Sequence, residues 1–302
     1  MGTNSHILLT NKPKDVTSFR SLGSIKRTVD KKVGHAGTLD KFAHGLMIVL
    51  TGSTTKLNQL FSTLDKTYLA TIRFGEQTTT LDTEGEVVAT ADIPSLETIK
   101  YSIAKNFTGK IMQAPPIYSA IHIDGKRAYK IARSGQEVEM PERETTINSF
   151  NIISFNNQDL VCEISVSKGT YIRSIARDLA LSCDSRGYLV DLIRTSIGPF
   201  KLDEAITTES VEEINSGLHK TDNYLKRLDS VSVYKIENEY LFDLANGKKP
   251  SFSILEAVDV KDRAYYGAIY SNDDILRCVL KLDENKQIEK ILCQINPCFD
   301  RL

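Results

Sequence analysis

The pattern of apolar residues predicts an α+β protein: a mixed, mainly antiparallel sheet with peripheral helices, followed by a small β-rich C-terminal domain. Two observations carry this. Over the first two-thirds of the chain, segments with helical spacing alternate with segments of period two, in an order that favours hairpins and long-range pairings. Beyond about residue 230 only short strands remain, separated by turn pairs at Asn246-Gly247, Ser271-Asn272 and Asp283-Glu284. A chain of 302 residues accommodates about two domains, and the change of character sets them at 1–229 and 230–302.

The elements follow in order. Phe19, Leu22, Ile25 and Val29 recur at helix spacing, so Ser18 to Val29 reads as a helix with Ser18 as N-cap. Leu46 to Leu50 is a buried apolar run. Tyr68 to Phe74 alternates as a half-buried strand, with Leu69, Thr71 and Arg73 on the second parity. Glu97 to Phe107 reads as a helix closed by Gly109, and Leu160 to Val166 as a further strand. Lys168 and Gly169 then turn the chain into a helix from Tyr171 to Cys183, with Ile172, Ile175, Ala176 and Leu179 on one face.

Composition narrows the class. The formal net charge is −1, so any affinity for a polyanion must come from local positive charge. No apolar run reaches the roughly 20 residues of a membrane helix, and the opening residues lack a signal peptide or myristoylation pattern. Five cysteines stand singly, at Cys162, Cys183, Cys278, Cys293 and Cys298, without metal or redox spacing. These features point to a cytoplasmic protein with reduced thiols. Local positive charge does exist: Arg20, Lys26, Arg27, Lys31 and Lys32 form one segment, and Lys126, Arg127, Lys130 and Arg133, with Tyr129 among them, form another.

The stretch from Gly34 to Leu50, GHAGTLDKFAHGLMIVL, presents a single carboxylate, Asp40, in a turn rich in Gly and Thr just before the apolar run. Gly34, Gly37 and Gly45 allow tight bends or a close approach of backbone to a partner. By residue type alone the segment fits a reactive group at the rim of a core strand, and more readily an Asx turn in which Asp40 caps its own backbone. His35 and His44 lie nearby, but their spacing with Asp40 matches no standard metal set, so we expect no metal and no cofactor.

Five blocks resemble, in order, the motifs of the TruB family of tRNA pseudouridine-55 synthases: LLTNKPKDVTSF, GTLDKFAHGLM, KTYLATIRFGEQTTTLDTEGEVV, FTGKIMQAPPIYSAIHIDGKRAYKIARSG, and SKGTYIRSIARDLA with DLIRTSIGPF. Asp15, Lys41, Thr79 and His122 stand where the family pattern has Gly, Pro, Asp and Lys. The resemblance implies the pseudouridine synthase fold with a PUA-like RNA-binding domain at the C-terminus. It implies Asp40 as the nucleophile, Arg173 as its active-site partner and Tyr68 as the ring that stacks on an extruded uridine. It further implies that Tyr171 and Leu192 line the uracil pocket and that His35 fills the space the extruded base vacates. Residues 113–143 correspond to the family's thumb-like insertion, which places Lys126, Arg127, Lys130 and Arg133 against the T-arm of tRNA.

The expected function is isomerisation of uridine to pseudouridine at position 55 in the tRNA T-loop. The enzyme would act as a cytoplasmic monomer without an obligate protein partner or a membrane. An Arg beside Asp40 would hold its pKa down and orient it. Two rivals remain: an RNA-binding or RNA-folding protein without catalysis, and a retaining sugar hydrolase. The hydrolase would need a second carboxylate as acid/base partner.

Overall fold

A computed structural model describes residues 4–119, 122–123, 126–127, 140–218 and 221–297. These divide into two compact units. The first comprises residues 1–39, 46–62 and 199–302, and the second residues 40–45 and 63–198. The five-stranded C-terminal sheet thus groups with the N-terminal segments.

In the first unit, β1 (Ile7–Lys12) and β2 (Val33–Ala36) flank β3 (His44–Thr51), β2 running antiparallel to it. Two short helices lie between β1 and β2: α1 (Ser18–Ser21) and α2 (Gly23–Thr28). One helix over 18–29 was expected; Leu22 separates two pieces, and the N-cap is Thr17, whose hydroxyl accepts from the Arg20 amide. Ser18 is buried and bonded elsewhere: its Oγ accepts from Leu39 N and donates to Leu39 O, both at 2.9 Å. Leu22 and Ile25 pack with Leu8, Met47, Val49 and Ile214 as one apolar cluster.

The second unit is built on β4 (Lys66–Phe74), whose residues alternate buried and half-buried along its whole length. Leu69, Thr71 and Arg73 take the more open parity, as the period-two pattern predicted. The small ribbon β5 (Glu76–Thr78) and β6 (Val87–Thr90) follows, then α3 (Leu96–Asn106), capped by Ser95. β7 (Gly109–Gln113) and the two-residue strands β8 (His122–Ile123) and β9 (Lys126–Arg127) come next. β10 (Arg143–Asn156) and β11 (Asp159–Val166) form a hairpin, and β12 (Gly187–Ile197) completes the layer. The strand order is β12-β4-β11-β10-β7, antiparallel throughout. The helix α4 (Ile172–Leu181) buries Ile172, Ile175, Ala176, Leu179 and Ala180. It packs closely on β12: a methyl group at Gly187 would stand 2.7 Å from Ala180 Cβ.

The loop carrying Asp40 closes onto this layer through a short parallel pairing, His44 with Ile193 and Gly45 with Arg194. Gly45 has φ +106°, and a Cβ there would lie 2.5 Å from Arg194 O and 2.8 Å from Arg194 N. Only a glycine lets the two backbones meet at this point.

The remaining strands of the first unit, β13 (Phe200–Lys201), β14 (Val231–Ile236), β15 (Leu255–Asp259), β16 (Tyr266–Ser271), β17 (Leu276–Leu282) and β18 (Ile288–Gln294), include the C-terminal sheet, ordered β15-β14-β16-β17-β18. Its core is Tyr234, Ile236, Ile269, Cys278 and Leu280, closed by Leu241 and Leu244. The mixed, mainly antiparallel architecture and the C-terminal β-sheet agree with the fold class read from the sequence. Among the described residues, no helix is long and apolar enough to cross a membrane.

Gly45→Ala should therefore destabilise the protein by about 2 kcal/mol or more, measured by urea unfolding. Gly247→Ala, also at positive φ but with open space around it, should cost about half as much. Equal losses at the two positions would mean that the Arg194 backbone yields readily.

Candidate active site

Arg173 organises the site. It lies in the first turn of α4, 5% exposed, where the helix dipole disfavours a cation. Its guanidinium is compensated by acceptors from three other segments. Nη2 donates to Asp40 Oδ1 at 3.0 Å, and Nε stands 2.8 Å from Asp40 Oδ2 as an ion-pair contact, off line for a hydrogen bond. Nη1 donates to Thr80 O at 2.9 Å and to Asp82 Oδ2 at 3.3 Å, and Nη2 also donates to Tyr118 O at 3.1 Å. The planar fork suits this two-sided engagement, which an ammonium could not reproduce.

The helix that presents Arg173 is itself tied down. The Gln113 side chain accepts from Tyr171 N at 2.9 Å and donates to Tyr171 O at 3.2 Å. Ser174 Oγ donates to Ala114 O at 2.8 Å, as Arg177 Nη2 does at 3.0 Å. Asp82 is held by its own loop, accepting from Thr80 Oγ1 at 2.5 Å and Glu84 N at 3.0 Å. Lys41, next to Asp40, reaches Glu84 with Nζ 2.6 Å from Oε1.

The two carboxylates against Arg173 differ in access. The Asp82 side chain is 4% exposed and that of Asp40 40%. Solvent reaches one side of Asp40, yet enough protein crowds the carboxyl that desolvation raises its pKa above the ordinary aspartate value. Arg173 opposes this, by charge and by hydrogen bonding, while the charges of Asp82 and Glu84 add to the rise. The expectation that Arg173 would hold the pKa down is thereby corrected: its influence has the expected sign, but burial outweighs it.

Of the other residues singled out, Tyr68 is buried on β4 and Leu192 on β12. Leu192 pairs across the sheet with Ala70, two residues from Tyr68, so Tyr68 and Leu192 share one face. Tyr171 immediately precedes α4, half-buried, and interacts electrostatically with both Asp40 and Arg173. Burial, the largest influence, raises its hydroxyl pKa. His35 lies on β2 in the first unit, half-buried. Lys130 and Arg133 lie outside the described residues; for Lys126 and Arg127 only the backbone of β9 is described.

Asp82 and Gln113 escaped the sequence reading, although both stand in the motif blocks. The run of hydroxyl and acidic residues around it, TTTLDTEGE, was the available signal for Asp82. Lys66, two residues before Tyr68, was also missed: burial and the nearby Arg194 lower its pKa to about 8. His44 Nε2 stands 3.4 Å from Asp191 Oδ1. Among the described residues, no group of three or more His, Cys, Asp or Glu side chains is placed to hold a metal ion.

A half-open carboxylate, Asp40, is thus held by a buried arginine beside a mainly antiparallel layer, an arrangement suited to chemistry that uses one oriented carboxylate. Residues 26–172 match the N-terminal domain described as TruB family pseudouridylate synthase. A protein of Borreliella burgdorferi (strain ZS7) named tRNA pseudouridine synthase B is 42% identical over 243 residues, 78% of this chain and 86% of its own. A protein of the same name from Rickettsia bellii (strain OSU 85-389) is 37% identical over 272 residues, 88% of this chain and 92% of its own. A chain of the solved Cbf5-Nop10-Gar1 complex superposes with a TM-score of 0.69 over 96% of this chain and 85% of that one, at 20% identity, a likeness of fold. The chain belongs to the TruB family of pseudouridylate synthases.

Arg173→Met should destabilise the fold by about 3 kcal/mol, because it leaves the buried Asp82 without its cation. Adding Asp82→Asn to that variant should recover part of the loss in urea unfolding at neutral pH. Identical midpoints for the single and double variants would sink this account of the pair.

Proposed function

We propose that the protein isomerises uridine to pseudouridine at position 55, in the T-loop of tRNA, with Asp40 as the nucleophile. The reading rests on the two-point contact between Asp40 and Arg173 in a chain of this family, and on relatives named for action on tRNA. The reaction breaks the N1–C1′ bond and joins C5 to C1′; C5 loses a proton and N1 gains one. A carboxylate contributes either by attack at C1′ or C6 or by stabilising positive charge at C1′. Arg173 presents Asp40 with both oxygens oriented, and the exposed side of the carboxylate faces the substrate.

The uridine must leave its stack to reach Asp40. In this proposal Tyr68 stacks on the extruded base, Leu192 and Tyr171 wall the uracil, and His35 occupies the vacated space in the RNA. The basic residues Lys126, Arg127, Lys130 and Arg133 grip the T-arm from an insertion spanning 113–143. Residues 1–229 form the catalytic domain and residues 230–302 a PUA-like RNA-binding domain. The enzyme works in the cytoplasm as a monomer, without an obligate protein partner and without metal.

The test is to incubate the protein with an unmodified tRNA transcript and map pseudouridine by chemical tagging. Product at position 55 is expected; product elsewhere, or none, overturns the assignment. Asp40→Asn should abolish turnover while leaving RNA binding intact, and near wild-type turnover by that variant would exclude the nucleophile.

The pH dependence follows from the raised pKa of Asp40. An essential carboxylate loses its charge as pH falls through its own pKa. The acid limb of the single-turnover rate should therefore lie above the ordinary aspartate value of about 3.9. Glu84→Gln removes a repelling charge, lowers the Asp40 pKa and should move that limb to lower pH. A limb unmoved by Glu84→Gln would mean that a different group controls it.

A further inference from the structure

The segment from Phe19 to Lys32 carries five cations, Arg20, Lys26, Arg27, Lys31 and Lys32, against one acid, Asp30. Among the described residues, none of the five pairs with a carboxylate side chain. Arg27 donates to Ser24 Oγ at 3.3 Å, and Asp30 Oδ1 is engaged by the Lys32 backbone N–H at 2.6 Å. Arg20, Arg27, Lys31 and Lys32 are exposed. A solvated charged face accounts for such residues alone, but it does not account for Phe19.

The Phe19 ring is 70% exposed on α1. Lys26 Nζ stands 3.9 Å from the ring centroid, a cation–π contact that orders one side of the ring and leaves the other open. The mount is rigid. Ser18, adjacent to Phe19, exchanges two hydrogen bonds with the Leu39 backbone, and Leu22 and Ile25 are anchored in the core cluster. Leu39 is joined to Asp40 by one peptide bond.

We propose that this face is a second contact site for tRNA, apart from the uridine pocket and the 113–143 insertion. The open side of Phe19 stacks on an unpaired base, and Arg20, Arg27, Lys31 and Lys32 hold the flanking phosphates. An ordered aromatic ring among cations that no carboxylate neutralises is the combination that binds a single-stranded stretch of nucleic acid, since every base offers a π face and every linkage a charge. An acidic protein would answer the cations with carboxylates, but it offers a flat π face only where an aromatic side chain happens to stand, whereas a nucleic acid offers one at every base. The inference rests on the tRNA reading given above.

The experiment measures equilibrium binding of an unmodified tRNA transcript to the full-length protein at several salt concentrations, beside pseudouridine formation by the wild type. Phe19→Ala should weaken binding about tenfold with an unchanged log–log salt slope, and Phe19→Tyr should restore it. The Gln variant of Arg20, Arg27, Lys31 and Lys32 together should reduce the slope by about one unit for each phosphate that is no longer neutralised. Thermal unfolding of each variant checks the fold, which exposed residues should leave intact. If the wild type isomerises the tRNA while all variants match it in affinity and slope, the second site is wrong and the enzyme assignment stands. A reduced slope without any effect of Phe19→Ala overturns the stacking role. A wild type that neither binds nor modifies tRNA overturns the functional reading and this site with it.

Discussion

One buried guanidinium sets the terms for everything around it. Taking the Arg173 cation out of water is costly unless most of its donors are satisfied. The chain answers with acceptors from three separate segments: Asp40 from the loop before β3, Thr80 and Asp82 from the loop after β5, and Tyr118 from the residues after β7. No two of these segments are neighbours in sequence, so the contact requires the second unit to be folded before it can exist. Of the two carboxylates among them, Asp40 keeps an open side and Asp82 does not. The same constraint that stabilises the fold therefore leaves a single oriented carboxylate available for chemistry.

The electrostatics of that carboxylate reflect a balance of opposed influences. Crowding by protein disfavours its charge, and so do Asp82 and Glu84; Arg173 favours it. Such a group is less well solvated than a surface aspartate. Lys41 sits at the rim with its charge directed to Glu84, which limits how strongly Glu84 acts on its neighbours.

Much of this was legible in the sequence, for physical reasons. Period-two alternation on β4 and the apolar stripe of α4 are local consequences of burial, and both appear where the pattern put them. Asp40 and Arg173 stood in distinctive blocks, and they meet. What escaped was set by long-range packing. The break at Leu22 leaves the apolar spacing intact, so periodicity could not reveal it. Asp82 resembles any polar loop residue until Arg173 arrives from 91 positions away. Gln113 acts only because it faces the backbone of Tyr171. The net pKa of Asp40 depends on crowding by the whole unit, a quantity that no local motif contains.

The loop that carries Asp40 is held at both ends by main-chain contacts. On one side Leu39 is gripped by Ser18; on the other, Gly45 lies against the backbone of Arg194. Between these two clasps Phe42 and Ala43 are fully buried and Asp40 is held by Arg173, so the path of the loop is fixed by its inward-facing side chains as well as by its ends. Lys41 is the exception, with its side chain half exposed and its charge turned to Glu84. Charge at this rim can therefore be changed at position 41 while the buried Phe42 and Ala43 keep the backbone beside Asp40 where it is.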